Sequence, residues 1–311
     1  MATEPLTPDS THLERVGYLF GFPIAHSLSP LLHQTIYDHL SPPRKWSQLF
    51  LESVDIPNFL RLTKEPKFYG ASVTMPHKVA IIPFLDEITQ EGKEIGACNT
   101  VFLKEKDGKR ILVGTNTDTI GIREAFYQNL KPGQSPEIFK GKPGLVIGGG
   151  GACRSAVYAL ERFMGCSPIY IVNRDVAEVD AVLSSGISKN LIHIKTVADA
   201  QAAIAPSAIV SCIPDFPPKT PEEIEARAVI EVFLEKPEKG AILEMCYHPS
   251  PFTQIAALSE KNGWQLILGT EAMIYQGLEQ DRYWTGLEVK DLPGEKVKEV
   301  ILDALNKARK H

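Results

Sequence analysis

An α/β fold of two domains is what this chain of 311 residues predicts. The first is an N-terminal α/β domain and the second a Rossmann-type, doubly wound dinucleotide-binding domain. Three observations predict them. Short apolar runs alternate with helix-like stretches almost from end to end, which reads as strands joined by covering helices. A glycine-rich turn lies between an apolar run and a helical pattern at Gly148–Gly151. The composition, 43% apolar and 23% charged, suits a chain that buries a large core.

The elements follow in order. YLFGFPI, LLHQTIYDHL, SQLFLES, IPNFLRLTK, GASVTM and VAIIPFLDEI read as a β-α-β-α-β-α opening. GACNTVFLKE and ILVGTN flank the charged turn KEKDGKR and predict a hairpin. The helix TIGIREAFYQNL follows, and the boundary between domains is placed near its start at Thr119. KPGQSPEIFKGKPG is an exposed connection by its Pro, Gly, Ser and Lys content. PGLVIG, GACRSAVYALERFM and PIYIVNR form a β-α-β unit, and SAIVSCIP, AILEMCY and WQLILG supply further buried strands. The glutamate-rich stretch DFPPKTPEEIEARAVIEVFLEKPEKG reads as a surface excursion with a helix of its own. Strands alternating with helices imply parallel sheets covered on both faces. The final helices, from about Glu271 to Arg309, fit either half.

Composition excludes several classes. A formal net charge of −5 offers no basic surface for nucleic acid or an acidic membrane. No apolar run approaches the ~18 residues that span a bilayer, and MATEPLTPDSTHLER lacks the apolar region of a signal peptide. Cys98, Cys153, Cys166, Cys212 and Cys246 are dispersed, without C-x-x-C spacing, as in a reduced cytoplasmic protein with no metal site.

The turn LVIGGGGACRSAVYAL carries the clearest single chemistry. Gly148, Gly149, Gly150 and Gly151 allow a tight turn and a close approach to a pyrophosphate, whose charge rests on the following helix N-terminus. Strand before, helix after and a second strand within one unit is the context that G-x-G-x-x-G requires, although Cys153 takes the third glycine's place. The second strand ends in Asn173-Arg174-Asp175. Arg174 suits the extra phosphate of NADP, whereas Asp175 suits the free ribose hydroxyls of NAD and would repel a phosphate. The two cues conflict.

GASVTMPHKVA raises a second question. Pro76 stops a short strand and Lys78 follows at once, at a rigid place from which to aim an ammonium group. A lone loop lysine is ordinarily a solvated one. Other strand ends are also rich in small polar residues: His26, Ser27 and Ser29 in AHSLSP, Asn99 and Thr100 in GACNT, Asn116, Thr117 and Asp118 in GTNTD, and Tyr247 in EMCYHP. Each alone reads as a cap or turn, and Ser27 or Ser29 suits a cap for the helix begun by Pro30.

Together these stretches resemble the shikimate/quinate dehydrogenase family. G-x-P-I-x-H-S-x-S-P, V-T-x-P-x-K, G-A-x-N-T, N-T-D-x-x-G, G-x-G-G-x-x-R and N-R occur in family order from Gly21 to Arg174, with weaker matches in EMCYHPSPFTQIA and LGTEAMIYQG. The resemblance implies a substrate domain of residues 1–118 plus 273–311, a dinucleotide domain of 119–272, and a cleft between them. It implies that Ser27 and Ser29, with Tyr247, bind a carboxylate, and that Thr74, Asn99, Asp118 and Gln276 hold ring hydroxyls. Lys78 and Asp118 would be the catalytic pair. Gly148, Gly149, Gly150, Gly151, Ala152, Arg154, Asn173, Arg174, Asp175, Gly269 and Met273 would bind the cofactor, NAD or alternatively NADP. A lysine at the reacting hydroxyl takes its proton when neutral, or steadies alkoxide charge when cationic.

Departures from the family pattern lie at Ser72, where asparagine is common, at Glu244 in place of aspartate, at Glu271 in place of a small residue, and at Asp175 in place of threonine. The expected activity is oxidation of quinate, of shikimate or of both, with quinate and NAD favoured. The expected partner is a small cyclic hydroxy acid, and the expected state a monomer or homodimer. A biosynthetic NADPH-dependent shikimate dehydrogenase, a non-catalytic ligand sensor on the same fold, and a nicotinamide enzyme acting on another small acid are the alternatives.

Overall fold

The computed structural model describes residues 10–247, 250 and 252–308. Along the chain come β1 (Arg15–Gly21), α1 (Ser29–His39), β2 (Trp46–Glu52), α2 (Ile56–Leu62), β3 (Phe68–Val73), α3 (His77–Ala80), β4 (Glu87–Ile88), α4 (Gln90–Ile95), β5 (Thr100–Lys106) and β6 (Lys109–Thr115). They are followed by α5 (Asp118–Gln128), β7 (Gly144–Ile147), α6 (Gly151–Tyr158), β8 (Ile169–Val172), α7 (Val176–Ser184), β9 (Leu191–His193), α8 (Val197–Ala202) and β10 (Ala208–Ser211). The remainder is α9 (Pro221–Glu235), β11 (Ala241–Glu244), α10 (Gln254–Lys261), β12 (Gln265–Leu268), α11 (Gly269–Thr285) and α12 (Gly294–Ala308). Two compact units result. One holds the described residues up to Thr89, Cys98–Thr115 and those from Gly277 onward; the other holds Gln90–Ala97 and Asn116–Gln276.

The sheet of the first unit runs β2-β1-β3-β5-β6-β4. β1 pairs in parallel with β2 and β3, but β3 meets β5 antiparallel, and β5 meets β6 antiparallel. The sheet is therefore mixed: β5 and β6 form the expected hairpin, β4 joins β6 in parallel, and the antiparallel step from β3 to β5 departs from the parallel pairing expected of alternating strands and helices. A hairpin turns at Asp107-Gly108, where φ is 52° and 72°, and both hairpin strands join the sheet. Positive φ at both loop residues is the I′ geometry that matches strand twist. β1 is buried along Val16–Gly21, and stacked Phe20 and Phe59, with centroids 4.5 Å apart, fill one side of its core. On the other side α1 meets α11 through a fully buried contact of His33 Nδ1 with Asp281 Oδ2 at 2.6 Å, and α1 also packs on α12.

VAIIPFLDEI is not one helix. Pro83 lacks an amide donor, so the run breaks into the single turn of α3, a 3-10 turn at Ile82–Phe84 and the two residues of β4. Asp86 then anchors this stretch by accepting from the Leu112 amide at 2.7 Å.

The sheet of the second unit is wholly parallel, in the order β12-β11-β10-β7-β8-β9. β7, β8, β10 and β11 are buried at every residue, as continuous apolar runs between two helical layers must be. The strand order reverses between β7 and β10, the switch point at which doubly wound sheets bind ligands. The glutamate-rich stretch is also corrected. Its helix, α9, is the crossover between β10 and β11 and buries Val229, Ile230, Phe233 and Leu234 against the sheet.

Candidate functional site

The first unit holds four of the expected substrate residues, Ser27, Ser29, Thr74 and Asn99, together with Lys78. Ser27, half-buried after β1, accepts the Ser29 amide at 3.2 Å. The N-cap of α1 is Leu28, with no side-chain cap bond, so neither serine is the helix cap. Ser29 is buried and donates to Gln48 Oε1 at 2.9 Å. The chain of bonds continues: Gln48 Nε2 donates to Ser72 Oγ at 2.8 Å, and Ser72 donates to Gln280 Oε1 at 3.0 Å. Gln280 Nε2 donates to Thr100 Oγ1 at 2.9 Å, and Thr100 donates to Asn99 Oδ1 at 2.6 Å. All six side chains are buried, so each polar atom needs the partner it has. Ser29 and Asn99 are thereby tied through Gln48, Ser72 and Gln280. The departure at Ser72 has its reason here: the short hydroxyl stands between two glutamines.

Thr74 follows β3, donates its amide to Phe20 O at 2.9 Å and accepts from the His77 amide at 2.8 Å. His77 lies flat on Phe20 at 4.1 Å and bonds Ser53 O at 2.8 Å, which fixes the turn of α3. Lys78 is half-buried on that turn, and its carbonyl accepts from the Cys98 amide at 2.6 Å. The backbone carrying Lys78 is thus fastened one residue from Asn99.

The other three expected substrate residues belong to the second unit. Asp118 opens α5 and is buried, with its amide donating to Asn116 Oδ1 at 3.1 Å. Asn116 in turn donates to Ala97 O at 3.0 Å and accepts from Ser155 at 3.3 Å. The neighbouring Thr117 donates to Gln276 Oε1 at 3.2 Å, joining the starts of α5 and α11. Tyr247 is half-buried after β11. Its loop is held by Glu244, whose buried carboxylate accepts from the Cys246 amide and from Thr253 Oγ1, both at 3.0 Å. Burial pushes the Glu244 carboxyl up to about 7. His248, Pro249 and Pro251 of the EMCYHPSPFTQIA stretch lie outside the described residues.

The glycine-rich turn sits where β7 gives way to α6, at the switch point of the sheet. Gly148 has φ +129°, and a Cβ at Gly149 would lie 2.4 Å from Asn173 Nδ2 and 2.5 Å from Glu178 Oε2. A Cβ at Gly150 would meet nothing within 4 Å. Gly150 is the N-cap of α6 and makes no side-chain cap bond, and Gly151 and Ala152 form its first turn. Open space against backbone amides at a helix start fits a pyrophosphate. Cys153 is fully buried where the third glycine would stand, and burial pushes its thiol up to about 12. Met273 is buried within α11, and the first residue of that helix, Gly269, passes so near the end of β11 that a Cβ would lie 2.4 Å from Met245 O.

Four residues expected at the cofactor have other partners. Arg154 donates to Ala181 O at 3.2 Å. Asp175 caps α7, accepting the amides of Ala177 at 2.8 Å and Glu178 at 3.3 Å. Arg174 pairs with Glu223 of α9. Asn173 donates to Glu178 Oε2 at 2.7 Å. Sequence reasoning missed Gln48, His77, Glu178, Glu223 and Gln280, because polar residues on amphipathic elements look solvated until the partner is in view. Among the described residues, no cluster of three His, Cys, Asp or Glu could hold a metal ion, and no helix is long and apolar enough to cross a membrane.

Comparison with known proteins gives these features a setting. Residues 19–101 match the family described as shikimate dehydrogenase substrate binding domain. The chain is 47% identical to the quinate dehydrogenase of Emericella nidulans over 97% of both sequences. Among solved structures, the dehydroquinate dehydratase and shikimate dehydrogenase of S. pombe AroM superposes with a TM-score of 0.75 at 32% identity, over 93% of this chain and 53% of that one. Shikimate 5-dehydrogenase from Thermus thermophilus, in complex with shikimate, superposes at 0.73 with 27% identity, over 94% of this chain and 99% of that one. Two α/β units, a glycine-rich turn at a switch point, and kinship across almost the full length make this chain a member of the shikimate/quinate dehydrogenase family of NAD(P)-dependent oxidoreductases.

Proposed function

We propose that the protein oxidises quinate to 3-dehydroquinate with NAD, and accepts shikimate as a second substrate. One observation carries the choice of quinate, the 47% identity to a quinate dehydrogenase over 97% of both sequences. The chemistry of the residues supports it. Ser27 and Tyr247 supply hydroxyl donors for a carboxylate, and Ser29 would join them by turning its proton away from Gln48 Oε1. Thr74, Asn99, Asp118 and Gln276 supply the mixed donors and acceptors that several ring hydroxyls need.

Oxidation of a secondary alcohol takes away a hydride and a proton. The nicotinamide, when bound, accepts the hydride. Lys78 acts on the proton: neutral, it accepts the hydroxyl proton, and cationic, it steadies the oxygen as negative charge develops. The turn of α3, pinned by His77, fixes the backbone from which Lys78 reaches. Asp118 accepts a hydrogen bond from a ring hydroxyl. Gly148–Gly151, Ala152 and the amides of α6 would hold the pyrophosphate, and Arg154, Asn173, Arg174, Asp175, Gly269 and Met273 would serve the rest of the dinucleotide.

The test mixes the purified protein with quinate or shikimate and with NAD or NADP, and follows reduced nicotinamide. The highest kcat/KM is expected for quinate with NAD. A higher value for shikimate with NADP would install the biosynthetic reading, and silence in all four mixtures from folded protein would leave the sensor or an enzyme acting on another small acid, which binding of quinate without turnover separates. In the active mixture, Lys78→Ala should lower kcat by about 10²–10⁴-fold with little change in KM, since its work is done in the transition state.

A further inference from the structure

The turn that follows β8 carries one cation among three carboxylates. Arg174 is largely exposed, at 62%, yet its guanidinium is paired with the Glu223 carboxylate. Glu223 comes from α9, a crossover helix 49 residues further along the chain. Its position is set by the helix and not by the arginine. Glu223 Oε2 accepts the amides of Lys219 at 2.8 Å and Thr220 at 3.1 Å, while Thr220 Oγ1 accepts the Glu223 amide at 3.2 Å. That is a complete capping box, and its backbone donors, with Arg174, hold the carboxyl below the usual range. On the same turn, Asp175 caps α7 and Glu178 is bonded by Asn173.

A surface ion pair of this kind adds little stability. Its consequence is electrostatic and geometric. The fork of Arg174 is the group on this turn suited to a phosphate. One arm of the fork already has an anion, and Asp175 and Glu178 follow Arg174 by one and four positions at the start of α7. The phosphate on the 2′-hydroxyl of NADP would bring nearly two more negative charges into that group. The free diol of NAD brings none and can donate hydrogen bonds to carboxylates.

We propose that Glu223 selects the cofactor: by engaging Arg174 from a rigid helix cap, it withholds the guanidinium from a 2′-phosphate and makes this turn prefer the free ribose diol of NAD. The inference rests on reading the protein as a nicotinamide-dependent dehydrogenase with the adenosine ribose at the end of β8.

The test is equilibrium binding of NADH and NADPH to the full chain, followed by nicotinamide fluorescence, with no turnover required. Wild-type protein should bind NADH more tightly. Glu223→Gln keeps the capping box, which accepts Gln at this position, and removes the charge. It should lower the ratio of NADPH to NADH dissociation constants about tenfold, the size of one close charge interaction near a surface. Adding Arg174→Gln to that variant should undo the gain, because the freed guanidinium is what takes the phosphate. A ratio unchanged in Glu223→Gln, with wild-type melting behaviour, would overturn the role of Glu223 and leave the dehydrogenase standing. Tighter NADPH than NADH binding by wild-type protein would also overturn it. No binding of either nucleotide by folded protein would sink the dehydrogenase reading, and this inference with it.

Discussion

Glu244 shows what a single residue contributes to the behaviour of this chain. Its carboxyl is raised from 4.5 to about 7, first by burial and further by the charge of Asp215, against the pull of the Cys246 amide and Thr253. The folded state therefore holds this proton more tightly than the unfolded chain does. The sign follows from linkage: the stabilisation is fully present below about 4.5 and is lost as pH rises through about 7. A shift of that size corresponds to roughly 3 kcal/mol. Between pH 5 and 8 the melting temperature should fall, and Glu244→Gln, which cannot titrate, should flatten the slope. Parallel slopes for the two proteins in thermal melts would remove Glu244 as the origin. Asp175 and Arg174 carry the same lesson about legibility. Each was readable as an opposing cofactor cue, but the sequence does not display that one caps α7 and the other is paired with a carboxylate of α9.

Elements depend on bonds that cross between them. Ser72 on β3 connects Gln48 on β2 with Gln280 on α11, and all three are buried. Ser72→Ala would leave an amide hydrogen and a carbonyl oxygen without this partner. Orphaned buried groups cost about 1–3 kcal/mol, so the urea midpoint should drop by that equivalent at unchanged slope. A midpoint equal to wild type would show that the two glutamines re-pair without Ser72. Strands and hairpin were legible because apolar runs and Asp-Gly turns are local signals. The antiparallel meeting of β3 with β5 was not, because pairing direction is decided by chain segments far apart. The core face of α9 was also hidden, since Glu222, Glu223 and Glu225 crowd its start while Val229, Ile230, Phe233 and Leu234 lie further on.

At the scale of the whole molecule, each unit has its own buried core, one around Phe20, Phe59 and Phe68 and the other in two layers about the parallel sheet. The six ordered motifs identified the family because they fix chemistry at strand ends, which is where an α/β fold carries its function. The residues that these and the two weaker matches single out are divided between the units, with Ser27, Ser29, Thr74, Lys78 and Asn99 in one and Asp118, Tyr247 and Gln276 in the other. The glycine-rich turn and its whole sheet lie in the second unit alone. A dinucleotide that binds there stabilises that unit by mass action, about 2.7 kcal/mol at a hundred times its dissociation constant. For a unit of this size that is worth roughly 5–11 °C. Differential scanning calorimetry with NAD at that concentration should therefore raise the melting temperature by this amount. A melting temperature unmoved by NAD would remove the glycine-rich turn as a dinucleotide site, and would require the assignment of the second unit to be redrawn.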